Sequence, residues 1–111
     1  MARITLCSAQ ITVEENTNLD AVTSATTGDK VDMRWYNKAT VFMISSGNTG
    51  AVTVTIQASI DGTNWIDLNE KTYTAENSND TYHYSNYYPY MRTKTSTHST
   101  STVSTTIVGR S

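Results

Sequence analysis

Charge is scarce in this sequence. Asp, Glu, Lys and Arg make up 16% of its 111 residues, against about 25% in ordinary globular chains. With 8 Lys+Arg and a net charge of -2, no basic stripe is available to follow a phosphate backbone, so no nucleic-acid partner is expected. Cysteine occurs once, at Cys7. An internal disulfide and a Cys-x-x-Cys metal knuckle are therefore excluded, and Cys7 is expected to be buried and inert. Proline occurs once, at Pro89, which excludes a Pro-rich linker. No apolar run approaches the about 20 residues of a membrane span, so no membrane partner is expected. Met1-Ala2-Arg3-Ile4-Thr5-Leu6 lacks the longer apolar stretch of a secretory signal.

Hydroxyls and amides fill the space that charge leaves. The chain has 21 Thr, 12 Ser and 9 Asn but only 3 Leu. Leu, Ile, Val and Phe together number 19. So low a fraction marks disorder only when net charge is high. Here net charge is small, and β-branched and aromatic residues are plentiful, which reads as a Thr-rich all-β domain. At 12.3 kDa, residues 1–111 form one domain. A domain of this size buries about 65% of its unfolded surface. Its core is thin, and contacts with other subunits are expected.

Period-two alternation locates the strands. Ile4–Val13 reads as a strand with a bend at Ser8–Ala9. Glu14–Asp20 and Thr23–Lys30 read as polar loops, and residues 1–30 as an N-terminal strand and loop region used in subunit contacts. In Val31–Tyr36, Val31, Met33 and Trp35 share a face. Thr40–Ser45 is apolar on both faces, as a central strand requires. In Ala51–Ser59, Val52, Val54, Ile56 and Ala58 face one way and Thr53, Thr55, Gln57 and Ser59 the other. The Ser46–Gly50 turn predicts that these two strands form a hairpin. Asp61-Gly62-Thr63-Asn64 is a second turn, followed by a strand over Trp65–Leu68. Asn77–Asp80 reads as a loop. Thr81–Asn86, Tyr90–Thr97 and Thr102–Val108 complete the set, with Pro89 tolerated where a strand begins. Seven to eight short strands predict an antiparallel β-sandwich, immunoglobulin-like or jelly-roll.

Reactive chemistry is hard to place. His83 and His98 have no Cys, Asp or Glu beside them at ligand spacing, and a zinc site needs three or four converging ligands. Glu14 and Glu15 are adjacent and would face opposite ways on a strand. There is no Gly-x-Ser-x-Gly elbow and no Gly-rich phosphate loop. Asp61–Trp65 lacks the carboxylate series of a calcium loop. Asn79-Asp80-Thr81 reads as a chance glycosylation sequon. No catalytic residue, metal ligand or cofactor is assigned, and the chain is read as non-enzymatic.

The aromatics carry more information. Tyr82, Tyr84, Tyr87, Tyr88 and Tyr90 fall within nine residues. On one reading, alternate tyrosines pack on the thin core with their hydroxyls in water. On the other they form a contact surface, for a protein or a sugar. These five are the candidate protein interface, and Trp35 and Trp65 are expected in the core. Sheets with uncharged Thr/Ser outer faces can lie against other proteins without burying unpaired charge.

Thr53-Val54-Thr55-Ile56-Gln57-Ala58-Ser59-Ile60-Asp61-Gly62-Thr63-Asn64-Trp65-Ile66-Asp67-Leu68 resembles a segment of small bacteriophage virion proteins. Tyr88-Pro89-Tyr90-Met91-Arg92-Thr93-Lys94-Thr95 and the Thr/Ser/Val strand after it are similar to the C-terminal half of the same proteins. The resemblance spans about Thr40 to Val108. It implies a virion structural protein assembled in the host cytoplasm, best matched by the capsid decoration (cement) proteins. Such proteins trimerise and bridge major capsid protein subunits. Tail, head–tail adaptor and fibre-associated subunits are the alternative virion roles. The Ser59-Ile60-Asp61-Gly62-Thr63-Asn64-Trp65 pattern also resembles discoidin-like carbohydrate-binding domains, which implies a glycan partner as a further alternative.

Overall fold

Apolar residues at every second position give a strand one face that must be covered, and two such sheets cover each other here. The computed structural model describes residues 2–6, 11–47, 50–74, 78–96 and 101–110. Its strands are β1 (Ala2–Leu6), β2 (Ile11–Val22), β3 (Val31–Asp32), β4 (Lys38–Ser46), β5 (Val52–Ser59), β6 (Trp65–Tyr73), β7 (Ser78–Tyr84), β8 (Tyr90–Ser96) and β9 (Thr102–Arg110). One sheet has the order β1-β2-β9-β4-β7 and the other β3-β8-β5-β6. Every ladder between them is antiparallel. The molecule is thus the all-β sandwich that the alternation predicts. Among the described residues nine strands stand where seven to eight were expected, because the single strand expected over Ile4–Val13 is two, β1 and β2, while the strand expected over Val31–Tyr36 shortens to the two-residue β3.

The core lies between the sheets. Val41, Met43, Val103 and Ile107 meet Val52, Val54, Ile56 and Met91 in one buried cluster. Each such side chain contributes about 1.5–3 kcal/mol on burial. The alternation read in β5 is observed: Val52, Val54, Ile56 and Ala58 are fully buried. Its polar row is covered as well, because long side chains lie across it. Gln57 donates Nε2 to Asp67 Oδ1 at 2.8 Å and accepts from Arg92 Nε at 2.8 Å. The Arg92 guanidinium in turn sits 4.1 Å above the Trp65 ring.

Several local expectations change. β4 and β5 do not form a hairpin. β4 pairs with β9 and β7, and β5 with β8 and β6. Ser46 and Val52 therefore stand in different sheets, and Gly47 takes φ 66°. A short Gly-rich link fits either arrangement, and the apolar rows of both strands decide it by stacking across the core. Ile4–Val13 is two strands, β1 and β2, paired with Leu6 opposite Ile11. The expected bend at Ser8–Ala9 lies outside the described residues, as do Cys7 and His98. Glu14–Asp20 belongs to β2, not to a loop. Its polar side chains hid a backbone ladder to β9, with register shifts around Leu19 that turn Leu19 into the core. Ser78–Asp80, expected in a loop, opens β7, and β6 runs past Leu68 to Tyr73.

A polar clasp crosses the interior where β2 and β9 face β8. Asn18 Oδ1 accepts from Thr93 N at 2.7 Å and from Thr93 Oγ1 at 2.7 Å. Asn18 Nδ2 donates to the Asp29 carbonyl at 2.7 Å. The buried hydroxyls of Thr93 and Thr105 are 2.6 Å apart, and Leu19 N donates to Thr105 Oγ1 at 3.0 Å. Beyond β3, Gly28 N donates to Thr93 O and Thr95 N to Thr26 O, both at 2.8 Å. Residues 26–28 thereby extend the pairing of β8 along its outer edge.

The β5–β6 turn is built as its sequence indicates. Asp61 Oδ1 accepts from Thr63 N, Asn64 N and Ser59 Oγ at 2.9, 2.8 and 3.0 Å, and Oδ2 accepts from Asn64 Nδ2 at 2.8 Å. Gly62 takes φ 79°, which a side chain would resist. The backbone amides of Asn64 and Thr63, followed by the Asn64 and Ser59 side chains, hold the Asp61 carboxyl well below the usual carboxylate range. A lowered native pKa stabilises the fold above the unfolded value, and that stabilisation is lost as pH falls through the native value. Asp61→Ala is therefore expected to lower the melting temperature at neutral pH. The gap to wild type should hold down to about pH 4 and close below it. Thermal melts across that range check this, and a gap that persists at the acid end would disprove it.

Candidate protein interface

The strand registers bring three connections to one end of the sandwich. Asp32 and Ser59 both stand opposite Tyr90, Ser59 also stands opposite Trp65, and Ala39 stands opposite Tyr84. The links 33–37, 60–64 and 85–89 therefore cluster together. Among the described residues, six large hydrophobic side chains are exposed: Trp35, Phe42, Ile44, Ile60, Ile66 and Tyr87. Four of them lie at this end. Scattered single apolar residues are ordinary, whereas a contiguous group marks a contact surface.

Ile60, Ile66, Tyr87 and Tyr88, with Ala58 and Asn64, line an open, mostly apolar concavity of about 500 Å³. Ile66 is 60% exposed and Ile60 is 86% exposed. Ile66 stands opposite the buried Ala58, on the inward face of its sheet. It is uncovered because it lies at the mouth of the sandwich. The Asp61 turn fixes the backbone that carries Ile60, so the rim is preorganised.

The five tyrosines separate into three settings. Tyr82 and Tyr84 stand opposite the buried Val41 and Ala39, and they turn inward against the core with Tyr88. The Tyr84 hydroxyl donates to Asn69 Oδ1 at 2.5 Å, tying β7 to β6 across the open side of the sandwich. Burial pushes this phenol above its ordinary value, so it remains a donor. Tyr84 and Tyr88 meet edge to face, with centroids 6.0 Å apart. Tyr87 is exposed. Tyr90 lies on the other sheet beneath two cations, Lys30 at 5.4 Å and Arg34 at 5.7 Å. Only Tyr87 and Tyr88 share the concavity.

Neither tryptophan is in the buried core. A turn after β3, with Tyr36 N donating to Met33 O at 3.1 Å, shifts the phase of the chain. Tyr36 goes inside and Trp35 is left 73% exposed. Trp65 is half-buried under Arg92. Beside Trp35, Arg34 grips Asp32 through Nε and Nη2 at 2.9 and 2.7 Å. That grip holds the Asp32 carboxyl below its ordinary range. A pair this exposed adds little stability, and its effect is to fix the cation over Tyr90. Ile60 and Ile66 were missed by sequence reasoning. The available signal was a β-branched apolar residue directly before an Asp-Gly turn, where no core can reach it.

The arrangement suits the capture of an apolar side chain from another protein. His83 shares a hydrogen bond with Thr40 Oγ1 at 3.0 Å. Among the described residues no group of three His, Cys, Asp or Glu could hold a metal ion. Among the described residues no helix is long and apolar enough to cross a membrane.

No protein-family model and no curated protein matches the sequence. Among solved structures the fold is similar to that of the SPBc2 prophage-derived protein YomS, with a TM-score of 0.65 and 13% identity over 97% of each chain. PirA is more distant, with a TM-score of 0.43 and 13% identity over 89% of this chain and 93% of its own. The capsular polysaccharide assembling protein CapF from Staphylococcus aureus gives a TM-score of 0.39 and 14% identity, over 90% of this chain and 23% of its own. At such identity the likeness to YomS is one of fold.

Proposed function

We propose that this chain is a non-enzymatic structural protein of a bacteriophage virion, specifically a capsid decoration protein that docks on the assembled head. The carrying observation is that four of the six exposed large apolar side chains among the described residues gather at one end of the sandwich. Two further observations support the phage assignment. YomS, whose fold is similar along the whole chain, is named as prophage-derived. The Thr53–Leu68 and Tyr88–Thr95 segments resemble small phage virion proteins. In this reading Ile60, Ile66 and Tyr87 seat against the major capsid protein, and copies of this chain associate as a trimer. A ligand that binds the assembled shell but not its dissociated subunits stabilises the shell by mass action. Several docking ends held in one oligomer add avidity without new contacts.

Purified protein added to undecorated heads of its phage is expected to co-sediment with them and to raise their melting temperature. Hundreds of copies per particle are expected. Six or twelve copies would instead mean a tail or neck subunit, and no co-sedimentation with no thermal shift would remove the decoration role.

A further inference from the structure

A second hollow lies on the outer face of the five-stranded sheet, away from the apolar concavity. Lys38 stands directly opposite Arg110 across the β4–β9 ladder, and Thr40 opposite Val108. On the other flank Thr40 stands opposite His83. These residues alternate with the buried Ala39, Val41, Ile107 and Gly109, so they share the outward face. With Phe42 they enclose about 400 Å³. Phe42 is 45% exposed and supplies an aromatic wall, and Val108 an aliphatic one.

Two cations face each other here without an acidic partner, unlike the cations that are held elsewhere. Arg34 is paired with Asp32, Arg92 is held by Gln57 and Trp65, and Lys30 lies over Tyr90. Among the described residues, neither Lys38 nor Arg110 has an ion-pair partner, and the hollow's own lining holds no carboxylate, although Glu15 of β2 stands beside it, opposite Val108. Like charges directly opposite on neighbouring strands destabilise a sheet. An anion between them converts that repulsion into attraction, and arginine offers it a planar fork of donors.

We propose that this hollow binds an acidic segment of a partner protein, with one carboxylate between Lys38 and Arg110 and a neighbouring apolar side chain against Phe42 and Val108. Charge complementarity identifies the ligand as an anion, and the wall identifies it as part of a peptide. A free small anion would leave Phe42 and Val108 unused. A nucleic acid needs a longer run of cations than two. The proposal does not depend on the virion assignment.

The test uses a fluorescein-labelled hexapeptide of alternating glutamate and leucine and its glutamine counterpart, followed by fluorescence polarisation against the full chain. The glutamate peptide is expected to bind about tenfold tighter or better, as a charge-assisted hydrogen bond allows. The double variant Lys38→Gln, Arg110→Gln should remove that preference, and Phe42→Ser should weaken both peptides alike. Lys71→Gln, on the other sheet, should change nothing. Each variant is first shown by circular dichroism to melt cooperatively. Equal binding of the two peptides, or a preference that survives in the double variant, would overturn the proposal. Displacement of the peptide by inorganic phosphate or by a short DNA oligonucleotide at the peptide's own concentration would do the same.

Discussion

Asn18→Ala is expected to cost about 2–4 kcal/mol of stability, because it leaves the buried Thr93 amide without an acceptor and breaks the clasp's other two bonds. In a domain of this size that lowers the melting temperature by about 10 °C. The Asn18 amide bridges Thr93 N, Thr93 Oγ1 and the Asp29 carbonyl. Thr93 is fully buried. Its hydroxyl keeps Thr105 Oγ1 in the variant, but its amide loses its acceptor. Gly28 provides an independent check. A Cβ built at Gly28 would fall 2.2 Å from Asn18 Oδ1. Asn18 cannot yield without breaking the same three bonds, so Gly28→Ala is expected to be about as costly as Asn18→Ala. In the Asn18→Ala background the obstacle is gone, and Gly28→Ala should then cost less than about 0.5 kcal/mol, a strong coupling for a contacting pair. Urea unfolding of the two single variants and the double variant measures this cycle. If Gly28→Ala costs the same in both backgrounds, the clasp is not what limits residue 28.

The clasp also shows where sequence reasoning stops. The β5 row was legible because period-two alternation of Val52, Val54, Ile56 and Ala58 has one physical meaning. The Asp61 turn was legible because aspartate and glycine act locally on their own neighbours. The partners of β4 and β5 were not, since pairing is a choice among distant segments that share the same alternation. Nor was β2, whose Glu14–Asp20 stretch is polar yet held by backbone bonds to β9. One turn at Met33–Tyr36 was enough to exchange the fates of Trp35 and Tyr36. In the candidate interface, Tyr87 and Tyr88 were legible as aromatics near a strand end. Tyr82 and Tyr84 fit the packing reading that was weighed against the interface one. Ile60 and Ile66 became visible only when the register placed them at the mouth of the sandwich. The facing of Lys38 and Arg110 likewise depends on register between strands far apart in the chain.

Ile60→Asp, Ile66→Asp is expected to abolish docking on the head while leaving the fold intact. Both side chains are mostly exposed, so removing them forfeits little burial, and exposed substitutions usually change stability by less than about 0.5 kcal/mol. In the docked state each would be an anchor at the centre of a desolvated contact, where truncation costs about 2 kcal/mol or more. An aspartate adds the penalty of bringing a charge into an apolar pocket without a partner. Two such losses, even if not fully additive, weaken a single contact by about a thousandfold or more. Avidity among oligomer copies multiplies the deficit, because every copy carries it. Tyr87→Ala should weaken docking less, since Tyr87 stands at the rim beside Tyr88, which is braced against Tyr84. Lys71→Gln, towards the far end of β6 and outside both hollows, should leave docking unchanged. Sedimentation of heads with each variant, followed by densitometry, gives copies per particle. Wild-type occupancy by the double aspartate variant would show that this end faces away from the head. Lost occupancy together with an unchanged melting temperature of the free protein would place the contact at the Ile60–Ile66 concavity.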